Sequence, residues 1–333
     1  MSIGATTFAA DKLTLNGDIR FRFDNESQAD TSSFYASKYR VRLNAAYKIS
    51  PEFTFNSRIS MGESLLSASP GVLGVDDVQM DIASLTYKKN NFSITGGRQK
   101  LIFFEGMAFN QDAGHTAFGT STANLVNPNS GPSNYTLFQG GKVSSKLGNI
   151  TLTAFSGNVK DQVTYDYKLN GIIAQSAIGD VNVGGMLYQD KRAVGNGFTV
   201  GNSHTGHILA ANTKLFHKYL YVGAEYDYGA KYMGGNDDKA WRVQIKTPDN
   251  KKTGDMQYNF DYRKVGLNAL DDKLSNNTKP TSSWGAFSYW GVGAKRQMAQ
   301  NVYAQLWYEQ FSLNKKTVAP EDHLVRLEVG VNF

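Results

Sequence analysis

Apolar and polar residues alternate along most of the 333-residue chain. The first such segment places Leu13, Leu15, Gly17, Ile19, Phe21 and Phe23 at every second position, with polar residues between them. A helix would scatter the two sets around its axis, whereas a strand puts one set on each face. A similar segment follows from Lys38 to Ile49, and Ser50-Pro51 leads into a third. Because a short turn joins them, the pattern predicts antiparallel hairpins.

The same alternation recurs to the C-terminus and predicts about sixteen strands. Irregular parity near Ile82-Ala83 and Gly96-Gly97 indicates bulges. The connections alternate in length. Tight turns are predicted at 50–51, 89–91, 147–149, 179–180, 217–218 and 299–301, and long polar loops at 25–36, 105–134, 193–204, 265–282 and 314–323. Short turns at one rim and long loops at the other are typical of outer-membrane barrels.

Alternation alone would also fit a soluble sheet with one wet face. Sixteen half-apolar strands of roughly ten residues, with Tyr, Phe and Trp near their ends, favour a membrane barrel. The absence of an apolar run of about 18 residues predicts that there is no transmembrane helix. A sheet in hydrocarbon must close, because no water can satisfy its edges. We therefore predict an all-β, antiparallel transmembrane barrel over residues 11–333. Aromatic girdles are predicted from Tyr39, Tyr47, Tyr87, Phe92, Tyr219, Tyr226, Tyr228, Trp241, Tyr262, Trp290 and Tyr308.

The first ten residues are small and apolar and include Thr7-Phe8-Ala9, which fits the small-x-small rule before a cleavage site. They are interpreted as the remnant of a secretory signal peptide, and the alternative is an unstructured terminus. The first interpretation predicts an exported protein.

The last strand carries Val325, Leu327, Val329, Val331 and Phe333 on one face. It resembles the C-terminal strand of bacterial outer-membrane β-barrels, which ends in Phe and is recognised by the barrel-assembly machinery. From Lys12 to Phe333 the chain resembles the porins, through the opening strand Leu15–Phe23, the Gly97-Arg98-Gln99 segment and the long third loop. The opening strand is also similar to the barrel portion of OmpM-type porins of diderm Firmicutes, but the S-layer homology domain that those porins carry is not in this sequence.

The resemblance implies an integral protein of the bacterial outer membrane that contacts the lipid bilayer and lipopolysaccharide. It further implies a homotrimer that passes small hydrophilic solutes and ions by passive diffusion. In such porins the third loop, here Glu105 to Asn134, folds into the pore and narrows it.

Parity sends Arg20, Arg22, Arg40, Arg42 and Arg58 to one face of the first three strands. An outward arginine would cost about 2–4 kcal/mol at the membrane midplane, so this face is assigned to the lumen. With Arg98 and Lys100 they are predicted to form a basic pore wall opposite the constriction-loop acids Glu105 and Asp112, producing a transverse field. The alternative is a group of arginines that merely solvates a rim.

Further inward charges set the expected selectivity. The predicted cations are Lys142, Lys168, Arg192, Arg242, Arg263 and Arg326, and the predicted acids are Asp18, Glu225, Asp227, Asp255, Asp261, Glu309 and Glu328. Together with the net charge of +6 they predict a mild anion preference.

Signals for other chemistry are weak. The absence of cysteine excludes disulfides, thiolate metal sites and a cysteine nucleophile, and no hydrolase, phosphate-loop or dinucleotide motif occurs. His204 and His207 lack an evident third metal ligand. The basic residues alternate with apolar ones instead of forming a patch for nucleic acid. We expect no enzyme activity, cofactor, metal or nucleic-acid partner.

Three alternatives remain at the level of the sequence. A substrate-selective channel would use an inward track of Tyr219, Tyr221, Tyr303 and Trp307 for a sugar or an organic acid. A structural or adhesive barrel would bind partners through its long loops, and a barrel enzyme would act on lipid. Saturable conduction, absent conductance and activity on lipid would identify them in turn.

Overall fold

Sixteen strands form one closed antiparallel barrel, in agreement with the fold predicted from the sequence. The computed structural model describes residues 12–28, 31–66, 78–104, 137–160, 166–192, 203–216, 220–229, 238–249, 252–266, 269, 286–313 and 321–333. The strands are β1 (Leu13–Gln28), β2 (Thr31–Lys48), β3 (Phe53–Leu66), β4 (Gln79–Lys89), β5 (Phe92–Gln99), β6 (Leu137–Leu147), β7 (Ile150–Lys160), β8 (Asp166–Ile178), β9 (Val181–Arg192), β10 (Ser203–Leu215), β11 (Leu220–Tyr228), β12 (Lys239–Lys246), β13 (Met256–Val265), β14 (Phe287–Ala299), β15 (Val302–Leu313) and β16 (Glu321–Asn332). Each strand pairs with its neighbours in the sequence, and β1 pairs with β16.

The seam between β1 and β16 closes the barrel. Its register runs from Asp18 opposite Asn332 to Ser27 opposite His323. At the turn-side end the Gly17 and Phe333 main chains exchange two hydrogen bonds, with N···O distances of 2.8 and 3.0 Å. Closure leaves no free edge along the seam, which is the condition for a sheet in hydrocarbon.

The two faces of the strands differ in polarity as the alternation requires. On β1 the outward Leu15 and Phe23 are 55% and 50% exposed. The inward Asp18, Arg22 and Asp24 are buried. The outer face is therefore apolar over most strands, and the strand carboxylates whose burial is described lie inside.

Outward aromatic side chains pack in pairs near both rims. At the turn side the Phe53 and Tyr87 ring centroids are 5.0 Å apart. At the loop side close pairs form between Trp241 and Tyr262 (4.9 Å) and between Trp290 and Tyr308 (5.3 Å). Two bands of aromatics at these levels are what a girdled membrane barrel requires. Tyr219, another predicted girdle residue, precedes β11 and lies outside the described residues.

The inner wall over β6 to β10 is mostly apolar, which the sequence did not predict. The residues that form it lie on β6 to β10: Phe138, Phe155, Val159, Leu169, Ile173, Met186, Tyr188, Ile208 and Ala210. Leu101 and Phe103, which follow β5, are 3% and 1% exposed and belong to the same buried cluster. The start of the third loop thus packs against the inside of the barrel.

Several boundaries differ from the sequence prediction. The predicted long loop at 25–36 is wrong in extent, because β1 continues to Gln28 and β2 already begins at Thr31. The fifth strand ends at Gln99 and not at Phe104, since the chain leaves the sheet to join the inner cluster. The bulge predicted at Ile82-Ala83 falls at Asp81, where the β3–β4 register shifts. Among the described residues, no helix is long and apolar enough to cross a membrane.

Candidate functional site

The five arginines of the predicted basic wall lie on the inner face of β1, β2 and β3. Arg22, Arg40 and Arg58 are buried, and the side chain of Arg20 is 29% exposed. None of the five stands alone, because every one is in an ion pair. The wall is thus a network of guanidiniums and carboxylates and not a row of bare cations.

Asp18 is the centre of this network. Its carboxylate lies 3.0 Å from Arg40 Nη2, 2.7 Å from Arg42 Nε and 3.1 Å from Arg20 Nε. The register explains the contact, since Asp18 is opposite Arg42 and Arg20 is opposite Arg40 across β1 and β2. One carboxylate therefore serves three guanidiniums, which leaves local positive charge uncompensated.

Glu328 of β16 continues the network across the seam. Its carboxylate accepts from Arg22 at 2.9 Å and from the Tyr303 hydroxyl at 2.8 Å, and Arg20 approaches it at 3.8 Å. Four guanidiniums around Asp18 and Glu328 face two carboxylates, an excess of two positive charges. The acids are nearly buried while Arg20 meets the lumen, so the surface that water contacts is positive.

Arg58 has a different environment. It donates from Nε to Asp81 Oδ1 at 2.8 Å, and the Ser60 hydroxyl donates to the same carboxylate at 3.0 Å. Both side chains of the Arg58–Asp81 pair are 1% exposed. This pair is a closed, neutral element of the wall. The bulge that adds Asp81 to β4 brings the carboxylate to Arg58.

A second charged cluster lies further round the inner wall. Asp261 of β13 accepts from Arg242 at 2.7 Å, and it also pairs with Arg263. Arg326 of β16 lies 2.7 Å from Asp24 across the seam and 3.6 Å from Glu309. Charged side chains therefore line β11 to β13, β15, β16 and β1 to β4, whereas the inner face of β6 to β10 is mostly apolar apart from Lys142 and the Asp190–His204 pair.

Two lysines lie over aromatic rings on the same charged half. Lys246 Nζ is 4.3 Å from the Tyr221 ring centroid, and Lys295 Nζ is 4.0 Å from that of Tyr303. The aromatic track predicted for a selective channel thus consists of cation–π pairs at two of its positions. A third member, Trp307, donates to Glu309, and Tyr219 lies outside the described residues.

The remaining residues of the predicted constriction divide into two groups. Arg98 lies on the outer face of β5 with the exposed Phe92 and Ile94 and donates to the Met80 carbonyl, so its predicted place in the pore wall is wrong. Lys100 is exposed beyond the end of β5. The acids Glu105 and Asp112 lie outside the described residues, as do residues 1–10.

The described start of the third loop does enter the barrel. A Cβ built on the inward Gly184 of β9 would lie 2.2 Å from Phe104 Cε2. Phe104 therefore sits directly on the wall four strands away from β5, beside Leu101 and Phe103. Ile172 and Ile173 are consecutive apolar residues on opposite faces of β8. An apolar residue on the inner face is the sequence signal that another segment packs against this part of the wall.

Two of the predicted lumen charges, Lys168 and Asp255, lie elsewhere. Lys168 is not in the lumen, because it alternates with the outward Ile172, 56% exposed, while the inward Leu169 is fully buried. Asp255 lies in the turn before β13. His204 faces inward and pairs with Asp190 at 3.0 Å, whereas His207 stacks on Tyr228 outside, so the two cannot share a metal. The described residues contain no cluster of metal-ligating side chains.

Phe333 lies at the seam, where its ring covers Gly17. A Cβ on Gly17 would lie 2.5 Å from Phe333 Cζ. The terminal aromatic is therefore part of the closure of the barrel, a contact that the sequence pattern did not reveal because it depends on the β1–β16 register.

Comparisons with known proteins connect the chain to porins by fold. No family model matches the sequence, and no curated protein matches it. A triple mutant of Rhodopseudomonas blastica porin superimposes with a TM-score of 0.54 at 13% identity, covering 96% of this chain and all of that one. A loop-deletion mutant of OmpT, an outer membrane protein of Vibrio cholerae, gives a TM-score of 0.57 at 12% identity, covering 97% and 100%. The chain therefore shares the closed barrel fold of outer-membrane porins.

Proposed function

We propose that this protein is a porin of the bacterial outer membrane, a water-filled channel through which small hydrophilic solutes and ions diffuse passively. One observation carries the proposal: a closed sixteen-stranded barrel has an apolar outer face and charged side chains along half of its inner wall. A barrel of this strand number is wide enough for an aqueous channel. Such charges inside a barrel are costly unless water or partners meet them.

The proposed selectivity is a mild anion preference. It rests on the excess of guanidiniums around Asp18 and Glu328 and on Lys246 and Lys295, which lie over aromatic rings of the same half-wall. A fixed positive surface raises the local concentration of anions. We further propose that the third loop narrows the channel, supported by the inward packing of Leu101 and Phe103.

The other features of this proposal follow from the likeness to porins. They are a homotrimer, contact with the bilayer and lipopolysaccharide, assembly through the Phe333 strand by the barrel-assembly machinery, and the absence of catalysis. The long-loop rim is then extracellular and the turn rim periplasmic. The narrower likeness to OmpM-type barrels rests on the opening strand alone.

Liposome swelling tests the proposal. Liposomes that contain the folded protein should swell in solutions of neutral sugars, at rates that fall as the sugar becomes larger. Heat-unfolded protein is the matched control. Absence of swelling with folded protein would contradict an open channel and favour the structural or adhesive barrel.

A substrate-selective channel is the second candidate, and the cation–π pairs Tyr221–Lys246 and Tyr303–Lys295 favour it. Such pairs present an aromatic surface together with a cation, which suits a planar organic acid. This channel would saturate, so flux of an aromatic carboxylate would level off with concentration while flux of a sugar would remain linear. Linear flux for both solutes supports the general porin.

A further inference from the structure

A cavity of about 390 Å³ lies on the inner wall over β6 to β10, near the turn rim. Phe104, at the end of the segment that follows β5, borders it on the side of the buried apolar cluster. The volume falls within the range of about 300–1,000 Å³ that is usual for small-molecule sites. The described residues that line the cavity include none of the pore-wall arginines, so it is separate from the Asp18 network.

The strand register brings the polar side chains of this cavity together in two adjacent rows. Lys146 of β6 opposes Thr151 of β7, which in turn opposes Gln175 of β8. One row nearer the turn rim, Asn182 of β9 opposes Asn212 of β10. All of these positions are in phase with the buried inward residues of their strands. The five side chains therefore face the lumen.

Most of the polar groups in the two rows are available to a solute. The side chains of Lys146, Thr151 and Gln175 have no polar partner among the described residues. Asn182 Nδ2 donates to Asn212 Oδ1 at 2.9 Å, which leaves the Asn182 oxygen and the Asn212 NH₂ group. The cavity thus presents several donors and acceptors on one concave surface.

The types of these groups indicate a hydroxylated solute. Amide and hydroxyl side chains both donate and accept hydrogen bonds. A sugar hydroxyl also does both, so Thr151 and the three amides match several hydroxyls of one molecule. The Phe104 ring, which is partly exposed, adds an apolar surface for the C–H face of a sugar ring. The cavity is therefore suited to a pyranose.

The charge of the cavity indicates that this solute is an anion. Lys146 is the only charged side chain among the described residues that line it. A single cation beside neutral hydrogen-bonding groups favours a solute with one negative charge, because hydrogen bonds between ionised groups are the strong ones. The positive lumen surface near Arg20 would raise the concentration of such an anion in the pore.

We propose that this cavity binds a sugar acid, a pyranose ring with one carboxylate. The carboxylate pairs with Lys146, the hydroxyls bond to Gln175 and to the Asn182–Asn212 pair, and the ring packs against Phe104. Access to the cavity from the pore rests on the proposed function. A sugar acid that has passed the start of the third loop binds here before it leaves through the turn rim.

A planar aromatic carboxylate is the competing solute for this cavity. It would pair with Lys146 and stack on Phe104, but it would cover Gln175 and Asn182 without hydrogen bonds. Amides that lose water without gaining a partner cost free energy. The unpartnered amide groups therefore favour the hydroxylated acid.

Saturation-transfer NMR of solutes with the folded protein, in a detergent without a sugar headgroup, tests the proposal. The probes are glucuronate, glucose and benzoate, and the wild type should bind glucuronate most tightly. Lys146→Gln should lower the affinity for glucuronate by about tenfold and leave that for glucose unchanged, since it removes a charge-assisted contact. Gln175→Met removes the amide at similar length and should weaken the binding of both sugars by about fivefold.

Lys48→Gln is the matched control variant. Lys48 is also an exposed lysine at the turn end of its strand and opposes Thr54 on the inner face, but it lies on β2 and does not line the cavity. The variant removes the same charge from the lumen and should bind glucuronate like the wild type. A heat-induced mobility change on a gel shows that each variant is a folded barrel.

Equal affinity of the wild type and Lys146→Gln for glucuronate would overturn the proposal, as would an equal loss in Lys48→Gln. Glucose bound as tightly as glucuronate by the wild type, or benzoate bound more tightly, would assign the cavity to another solute and also overturn it. Conductance separates this test from the proposed function. A wild type that binds glucuronate without conducting contradicts the channel alone, and one that conducts without binding glucuronate contradicts the cavity site alone.

Discussion

Asp18 shows how one side chain organises the charged half of the inner wall. Alternation within β1 and β2 suffices to place Asp18, Arg20 and Arg42 on one face of the sheet. The sharing of one carboxylate by three guanidiniums could not be predicted, because it depends on the register between strands. The same holds for Arg22 and Glu328, which are 306 residues apart in the sequence. The prediction for Lys168 was wrong for a different reason: β8 has apolar residues on both faces, such as Ile172 and Ile173, so its alternation does not show which face is inward.

The substitution Asp18→Asn should lower stability and increase anion preference together. It leaves three guanidiniums without their shared carboxylate, and removal of one partner from a buried ionic group costs about 3–5 kcal/mol. Urea unfolding should show the lower stability, and the reversal potential in a salt gradient should move further toward the anion. Wild-type stability with unchanged selectivity would contradict the role given to Asp18.

The substitution Arg42→Gln should act in the opposite direction on selectivity. It removes one of the guanidiniums that are in excess around Asp18 and Glu328, while Arg40 still pairs with Asp18. The anion-to-cation permeability ratio should therefore fall by roughly twofold. Lys252→Gln, in the turn between β12 and β13, is the charge-matched control and should leave the ratio unchanged. A ratio that rises in Arg42→Gln would show that the arginine wall does not set the selectivity.

At the scale of elements, the exit of the chain from β5 shapes the lumen. Gly97, with φ of +114°, occupies the left-handed region one step before Arg98, and the strand ends at Gln99. Leu101 and Phe103 then cover the apolar inner faces of β6 to β10. The strand count could be predicted because alternation is a local signal. The packing of Leu101 and Phe103 could not be predicted, because it depends on which part of the inner wall the segment after β5 contacts.

The substitution Gly184→Ala should displace the start of the third loop. The new methyl group would lie 2.2 Å from Phe104 Cε2, so the ring must leave the wall and move into the lumen. Single-channel conductance should decrease, and stability should fall by about 1–3 kcal/mol. The adjacent Gly185→Ala is the control, since its Cβ would meet Leu209 only at an ordinary 3.7 Å. Equal conductance in both variants and the wild type would argue against a loop segment in the pore.

For the whole molecule, closure at the β1–β16 seam is the central structural feature. Main-chain pairing, the Arg22–Glu328 and Arg326–Asp24 ion pairs and the Phe333 ring over Gly17 all contribute to it. The sequence indicated closure through the even strand number and the terminal Phe333. The polar contacts along the seam join the two ends of the chain and leave no local pattern in the sequence.

The substitution Gly17→Ala should weaken the seam. Its Cβ would lie 2.3 Å from the Arg42 carbonyl oxygen and 2.5 Å from the Phe333 ring, so backbone and ring must both shift. The folded barrel should lose about 1–3 kcal/mol of stability, read as a lower temperature of heat-induced mobility change on a gel. Gly141→Ala on β6 is the control, because its Cβ would have no neighbour within 4 Å. Equal stability of the two variants would contradict a packed seam.

Single-channel recording of the purified, folded protein in planar bilayers tests the channel itself most directly. The account predicts large ohmic conductance steps in groups of three and, across a salt gradient, a reversal potential displaced toward the anion. An absence of steps from protein whose barrel is shown to be folded would contradict the open channel.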